Sequence, residues 1–152
     1  MSPTAVAPAP AARTGTDLAE HLRLSVTRLA RRLRQQTGLD ASPTQLAALA
    51  TIERQGPITL GELAAAERVQ PPTVTAAVGR LEQEGLVRRT PDRTDRRVVR
   101  VSATAAGKRL LARNRSRKTA FLSSRLESLD DDERATLAAA TVLLDRLLEE
   151  EP

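Results

Sequence analysis

The fold can be inferred mainly from residues 56–104, GPITLGELAAAERVQPPTVTAAVGRLEQEGLVRRTPDRTDRRVVRVSAT. This stretch contains two short helical patterns followed by a basic β-hairpin. The second helical pattern begins at Pro71-Pro72, since prolines are tolerated only in the first turn of a helix. Its apolar residues have the i, i+3, i+4 and i+7 spacing of one buried helix face: Val74, Ala77, Val78 and Leu81. Gly85 is the predicted end of this helix, because glycine tolerates the left-handed conformation found there.

The hairpin follows directly. Residues 86–90 and 97–101 are the predicted strands, and residues 91–96 form the turn between them, with arginines concentrated at its tip. Two helices followed by a charged hairpin are the outline of a winged helix-turn-helix, a module that usually binds DNA with its second helix in the major groove. The predicted fold class is therefore mainly α with a small β-hairpin wing.

Helices are also predicted ahead of the hairpin. A first helix is expected from Asp17 to about Thr37, with Gly38 as its stop. Two capping boxes, Ser42 to Gln45 and Thr59 to Glu62, predict the starts of the next two helices, with Ile58-Thr59 as a minimal strand between them.

Two more helices are predicted after the hairpin. Thr104 is the expected cap of a long helix that runs to about Leu129, and a capping box from Asp130 to Glu133 opens the last helix. The last helix has a wide apolar face: Leu137, Leu143, Leu144, Leu147 and Leu148. Because both flanking arms have more leucine than the module can cover, the chain is expected to form a homodimer.

These expectations divide the chain into four parts. They are a disordered N-terminal tail at 1–16, an N-terminal dimerisation helix at 17–42, a winged helix-turn-helix DNA-binding domain at 43–103, and C-terminal dimerisation helices at 104–152.

The net charge of +5 is unevenly distributed. Residues 68–118 have 14 Lys+Arg against 4 Asp+Glu, whereas residues 127–151 have 2 against 9, so the middle of the chain is the part suited to a polyanion. Arginine supplies 22 of the 24 cations. Its planar fork suits phosphates and base edges, but a genomic bias in base composition would have the same effect on the sequence.

The composition excludes several classes of function. With no cysteine there are no disulfides, thiolate metal sites or cysteine redox sensors. Phe121 is the one aromatic residue, which excludes base stacking on aromatic platforms and favours duplex DNA as the partner. No apolar run approaches the roughly 18 residues of a membrane span, and the N-terminus lacks a signal peptide pattern. We therefore expect a cytoplasmic protein with no membrane partner.

Several motifs resemble those of the MarR family of bacterial and archaeal transcription regulators. The family's wing pattern is an Asp, a nearby Asp-Arg-Arg, and a Thr-x-x-Gly that opens the next helix. The matching residues are Gly-Leu-Val-Arg-Arg at 85–89, Pro-Asp-Arg-Thr-Asp-Arg-Arg at 91–97, Val-Ser-Ala-Thr at 101–104 and Gly107, with Thr-Val-Thr at 73–75 and Arg-Leu-Glu at 80–82 in the recognition helix. The likeness covers about residues 17–149.

The resemblance implies a homodimer paired through its first and last helices, which represses transcription and is released by small aromatic acids, antibiotics or oxidants. Lacking cysteine, this chain cannot be a thiol peroxide sensor. Ala76 stands where many members have a cation. The resemblance also implies a small aromatic or apolar acid as an effector between the flanking helices and the DNA-binding module, with Arg23 or Arg28 as conceivable carboxylate partners.

The predicted DNA contacts lie on the recognition helix and the wing. Threonine hydroxyls can bond base edges or phosphates, methyl groups can contact thymine, and arginines at a hairpin tip can enter a narrow minor groove. The predicted contacts are Gln70, Pro71, Thr73, Thr75, Ala76, Arg80, Arg93, Thr94, Arg96 and Arg97. Asp92 and Asp95 are assigned to wing structure, as a turn former and as a partner of a neighbouring arginine. Arg88, Arg89 and Arg97 could serve phosphates or merely solubilise the sheet.

Two other functions fit the same pattern. One is a sequence-independent architectural DNA-binding protein, and the other is a winged module that binds proteins, in which these residues form a solvated helix face and a mobile tip. His21 is the only histidine, and the acidic run at 130–133 is better explained by helix capping than by a metal. No nucleophile-elbow, phosphate-loop or dinucleotide motif occurs. The chain is therefore expected to be no enzyme and to use no metal or cofactor.

Overall fold

The computed structural model describes residues 14–36 and 41–149 of the chain. It contains two compact units, which are divided after residue 35. The expected stop at Gly38 and most of the predicted tail lie outside the described residues.

The first unit contains helix α1, Gly15–Gln35. The helix begins two residues before the predicted start at Asp17. Gly15 and Thr16, predicted to lie in the disordered tail, are therefore helical. The reason is local: Thr14 accepts a hydrogen bond from the backbone N–H of Asp17 through its hydroxyl (3.3 Å), as an N-cap does. Leu18, Val26 and Leu29 are exposed.

The second unit contains a winged helix-turn-helix and two further helices. Its elements in chain order are α2 (Pro43–Gln55), α3 (Leu60–Glu67), α4 (Pro71–Gln83), β1 (Val87–Pro91), β2 (Val99–Ala103), α5 (Ala105–Leu126) and α6 (Asp131–Glu149). The predicted fold class is confirmed. In the part of the chain that the structure describes, no helix has the length and apolar character needed to cross a membrane.

Side-chain caps determine where these helices begin. The predicted capping boxes at Ser42 and Thr59 are both present, with Gln45 and Glu62 bonding back to the cap backbone. Asp130 and Glu133 exchange the same pair of bonds at the start of α6, at 2.8 and 3.0 Å. Capping therefore accounts for two members of the acidic run at 130–133.

The core is aliphatic and lies between α2, α3, α4 and the hairpin. The four residues predicted for the buried face of α4 are all buried. The largest fully buried side chains are Leu49, Ile52, Leu63, Val74, Val78, Leu81 and Val101. Because each such side chain contributes about 1.5–3 kcal/mol on burial, this core holds α4 and the wing in fixed positions.

The hairpin is displaced along the sequence from its predicted position. Its antiparallel register runs from Val87 opposite Ala103 to Pro91 opposite Val99, so the second strand begins two residues later than expected. The loop between the strands spans residues 92–98, one residue more than the predicted turn, and the backbone N–H of Asp92 joins its two ends by donating to the carbonyl of Val98 (2.8 Å). Ile58 forms an isolated bridge to Val101, and the expected minimal strand is reduced to that single residue.

The junction between the hairpin and α5 is tightly packed. Thr104 caps α5 by accepting from the backbone N–H of Gly107 (3.1 Å), and its hydroxyl donates to the carbonyl of Gly85 (2.7 Å). Gly85 has φ +70°, the left-handed conformation expected there. A Cβ at Gly107 would lie 2.2 Å from the carbonyl oxygen of Leu86. Glycine is therefore required at this approach of α5 to the wing.

α5 ends three residues before the predicted Leu129, and a short turn leads into α6. No residue of α6 between Asp131 and Glu149 is buried. Leu143, Leu147 and Leu148 are each more than half exposed. These leucines of α6 are thus left uncovered by the residues that the structure describes.

Candidate DNA-binding surface

One side of α4 is exposed while the other is packed in the core. Thr73, Thr75, Ala76 and Arg80 are exposed, as are Gln70 and Pro71 at the start of the helix. Gln70 occupies the N-cap position without a side-chain capping bond. All six predicted helix contacts are therefore accessible to a partner.

Two of these side chains differ in their freedom to donate. The Thr75 hydroxyl donates to the carbonyl of Pro71 (2.9 Å), so its proton is used within the helix, leaving the oxygen lone pairs and the methyl group outward. Arg80 forms no hydrogen bond or ion pair with the residues that the structure describes. Its five N–H donors are available to an anion.

Asp92 organises the loop of the wing. Its Oδ1 accepts from the backbone N–H groups of Thr94 (2.8 Å) and Asp95 (3.2 Å) and from the Thr94 hydroxyl (2.6 Å). These are the hydrogen bonds of a turn-forming residue. Thr94, predicted as a DNA contact, thus has its hydroxyl proton directed at Asp92. Its contact with DNA stays a prediction.

Arg100 completes this arrangement and was not singled out from the sequence. Its Nε donates to Oδ2 of Asp92, and its Nη1 lies 3.4 Å from the carbonyl of Pro57 and 3.5 Å from Oε2 of Glu62. Glu62 is in turn held by the N–H and hydroxyl of Thr59. One guanidinium therefore links the wing loop to the start of α3.

Asp95 is paired with Arg97, as expected of a carboxylate with a neighbouring arginine. The Nε and Nη2 atoms of Arg97 donate to the two carboxylate oxygens at 3.1 and 3.3 Å. The Arg97 side chain is nevertheless 91% exposed. It can reach a phosphate from this position, but part of its charge is already offset.

Arg93 and Arg96 remain as the exposed cations of the tip. Neither has a hydrogen bond or an ion pair with any residue in the described ranges.

Of the strand arginines, Arg89 pairs with Glu82 on α4 (3.0 Å), and Nε of Arg88 donates to the Ser102 hydroxyl (3.3 Å). Arg89 therefore braces the sheet against α4.

The wing carboxylates are strongly biased toward their charged form. Hydrogen bonds from the Thr94 hydroxyl, from Arg100 and from backbone N–H groups hold the pKa of Asp92 far below its usual range. The side chain of Arg97 lowers the pKa of Asp95, and the backbone N–H of Thr59 lowers that of Glu62. The pKa of Arg100 is raised by Asp92. At neutral pH both aspartates are thus anions already committed to donors in the wing.

The structure therefore joins two exposed cationic features in one compact unit. The exposed side of α4 carries Arg80, and the wing tip carries Arg93 and Arg96. At the junction of α4 and the hairpin, the backbone N–H of Leu86 donates to the carbonyl of Leu81 (2.8 Å). Within the described residues, no group of three or more His, Asp or Glu side chains is arranged to hold a metal ion.

Comparison with known proteins agrees with this geometry. The model of the MarR family matches residues 41–99. Over 136 residues the chain is 39% identical to an HTH-type transcriptional regulator from Mycobacterium leprae, and the match covers 89% of this chain and 95% of that protein. The chain belongs to the MarR family.

Other MarR-like proteins extend this likeness. This MarR-family chain is 32% identical over 103 residues to the HTH-type transcriptional repressor MdtR of Bacillus subtilis. The match covers 68% of this chain and 66% of MdtR. The crystal structure of a transcriptional regulator from Pseudomonas aeruginosa is 41% identical, with a TM-score of 0.81, and the match covers 91% of this chain and all of that one. The MarR-family chain is thus a DNA-binding transcriptional regulator of the winged helix-turn-helix type.

Proposed function

We propose that this MarR-family regulator acts in the cytoplasm as a homodimer on a pseudo-palindromic operator. In each half, α4 enters the major groove and the wing tip enters the adjacent minor groove. The observation that carries the proposal is the distribution of cations. Arg80, Arg93 and Arg96 are exposed without partners among the described residues, whereas Asp92 and Asp95 are held by donors of the wing.

The proposed contacts fall into two chemical classes. Thr73, Thr75 and Ala76 on α4 present the lone pairs and methyl groups that read base edges, and Gln70 and Pro71 lie at the end of the helix that enters the groove. The arginines contribute most of the affinity through phosphates or a narrow A·T-rich minor groove, so binding depends steeply on salt.

The homodimer is supported by apolar side chains of α1 and α6 that residues 14–36 and 41–149 leave exposed. Leu18, Val26 and Leu29 on α1 are exposed, and Leu143, Leu147 and Leu148 on α6 are exposed as well. A second copy offers the same faces in a two-fold arrangement and would remove them from water. Two recognition helices would then be about 34 Å apart, one turn of B-DNA.

Repression and release by a ligand are proposed on the family's known behaviour. The similar protein MdtR is a repressor. A small aromatic or apolar acid would act by favouring a spacing of the two recognition helices that misses successive grooves. Arg23 and Arg28 on α1 are proposed partners for its carboxylate.

The proposal is tested by selecting bound fragments from the source genome with the purified chain, sequencing them, and footprinting the best one. We expect two copies of the chain to bind one duplex and to protect two inverted half-sites one helical turn apart. One chain per site, or protection without two-fold symmetry, would contradict it. A binding partner that is retained after Arg93→Ala and Arg96→Ala, with no fragment selected, would favour the protein-binding alternative.

A further inference from the structure

An open cleft of about 510 Å³ lies between the start of α2 and one side of α4. Thr44 lines it from α2, and Thr73, Ala76 and Arg80 line it from α4. Because α3 and α4 form the helix-turn-helix, Thr44 belongs to an element outside that motif.

Ser42 and Gln45 also line the cleft, but their side chains are used in the capping box of α2, whereas three other polar side chains are uncommitted. Thr44 and Thr73 are exposed, and their hydroxyls form no hydrogen bond with any residue in the described part of the chain. The guanidinium of Arg80 is likewise unpaired within those residues. The Thr44 hydroxyl and the planar Arg80 cation are suited to the oxygens of a phosphate, and the Thr73 hydroxyl beside them can bond either a phosphate or a base edge.

The cleft is continuous with the surface proposed to enter the major groove. Thr73, Ala76 and Arg80 belong both to that surface and to the cleft wall. The major groove is about 12 Å wide and is bordered by the two phosphate backbones. An element that flanks the recognition helix therefore meets a backbone rather than base edges.

The cleft also contains one carboxylate. Glu84, one helical turn beyond Arg80 at the C-terminal end of α4, lines the cleft and makes no ion pair with the described residues. Because its carboxylate would repel a phosphate, the DNA backbone is expected to lie away from Glu84.

We propose that this cleft binds one phosphate of the DNA strand bordering the groove, with Thr44 as a DNA contact supplied by α2. Such a contact carries no base sequence information but fixes the register of α4 in the groove. The inference rests on the proposed placement of α4 in the major groove.

The test compares Thr44→Glu with Thr44→Gln on the operator selected from the genome. Thr44 lies in the first turn of α2, where a carboxylate is favoured by the helix dipole. The Glu variant is therefore expected to remain folded, as judged by its melting temperature. Operator affinity should fall about tenfold or more for Thr44→Glu and only a few fold for Thr44→Gln, because only the former places a negative charge against a phosphate.

Thr119→Glu is the matched control, since Thr119 is an exposed threonine on α5 and the charge change is the same. Phosphate-ethylation interference gives a second readout. Ethylation of one phosphate in each half-site should weaken the wild type, and it should weaken Thr44→Ala less, because that variant has already lost one of the contacts to this phosphate. Equal affinities of Thr44→Glu and Thr119→Glu, or an interference pattern that Thr44→Ala does not change, would overturn the inference. Failure of the wild type to prefer its operator over scrambled DNA would instead overturn the proposed function.

Discussion

Asp92 and Arg100 form the central ion pair of the wing. One carboxylate oxygen of Asp92 gathers the N–H groups and hydroxyl of the loop, and the other accepts from Arg100, which also reaches the carbonyl of Pro57 and Glu62 at the start of α3. The loop that carries Arg93 and Arg96 is thereby connected to the helix-turn-helix. The direction in which the tip arginines point depends on this pair.

Asp92→Asn and Arg100→Gln are each expected to weaken operator binding by about tenfold, since each leaves the tip cations in place but releases the loop that orients them. The double variant should bind about as well as the weaker single variant, because both substitutions break one interaction. Fluorescence anisotropy on the selected operator measures these affinities. If the fold loss in affinity of the double variant equalled the product of the two single losses, the two residues would act independently.

The tip arginines should determine the salt dependence of binding. Replacing both Arg93 and Arg96 with alanine is expected to lower the slope of log K against log salt by about two, since each lost phosphate contact removes about one. Arg113→Ala, at an exposed position on α5, is the control and should leave the slope unchanged. A double variant with the wild-type slope would remove the wing from the DNA interface.

Gly107 should tolerate no side chain. A Cβ there would lie 2.2 Å from the carbonyl oxygen of Leu86, a backbone atom that cannot turn aside, so Gly107→Ala is expected to cost about 1–3 kcal/mol or more of stability. Gly79→Ala is the matched control, because nothing lies within 4 Å of the added atom. It should raise stability by about 0.5–1 kcal/mol, since alanine is the better helix former. Urea denaturation of both variants gives these values, and equal stabilities would refute the close approach of α5 to the wing.

The apolar face of α6 should hold the dimer together. Leu147 is 61% exposed, so Leu147→Glu is expected to leave the fold of each chain intact while separating the dimer into monomers. Ala138→Glu adds the same charge at an exposed position on another side of α6 and should leave the dimer intact. Light scattering coupled to size exclusion measures the molar mass. A wild-type chain that is monomeric at micromolar concentration would contradict the proposed assembly.

The wing should loosen only in acid. The folded-state pKa values of Asp92 and Asp95 are lowered by hydrogen bonds from Thr94 and Arg97 respectively. The stabilisation they provide is therefore fully present above the unfolded value of about 3.9 and is lost as the pH falls through the folded values. The amide NMR signal of Thr94 should stay constant from about pH 8 to pH 5 and move only below about pH 4. In Asp92→Asn it should already be displaced at neutral pH.

Local chemistry made much of this fold predictable from the sequence. The starts at Ser42, Thr59 and Thr104 depend on side chains that reach three residues along the chain, and the buried face of α4 depends on helical spacing alone. The exposure of Arg93 and Arg96 agrees with the expectation that Asp95 pairs with another arginine.

Interactions across the loop were beyond the sequence patterns. The second strand begins at Val99, two residues later than predicted, because Asp92 holds the intervening loop through bonds to Thr94 and Asp95 and through its own N–H to the carbonyl of Val98. The sequence did not distinguish Arg100 from the other arginines of the strands. Its partners Asp92 and Glu62 are brought near it only by the loop and by the packing of α3. The cleft at Thr44 was missed for the same reason, since it exists only where α2 packs beside α4.

Sequence-specific binding is measured by comparing the affinity of the wild-type chain for its selected operator with its affinity for a scrambled duplex of equal length and composition, at one salt concentration. If α4 and the wing read adjacent grooves, the operator should bind about a thousandfold more tightly or better. A ratio near one would show that α4 and the wing do not read a sequence, and would indicate an architectural DNA-binding protein.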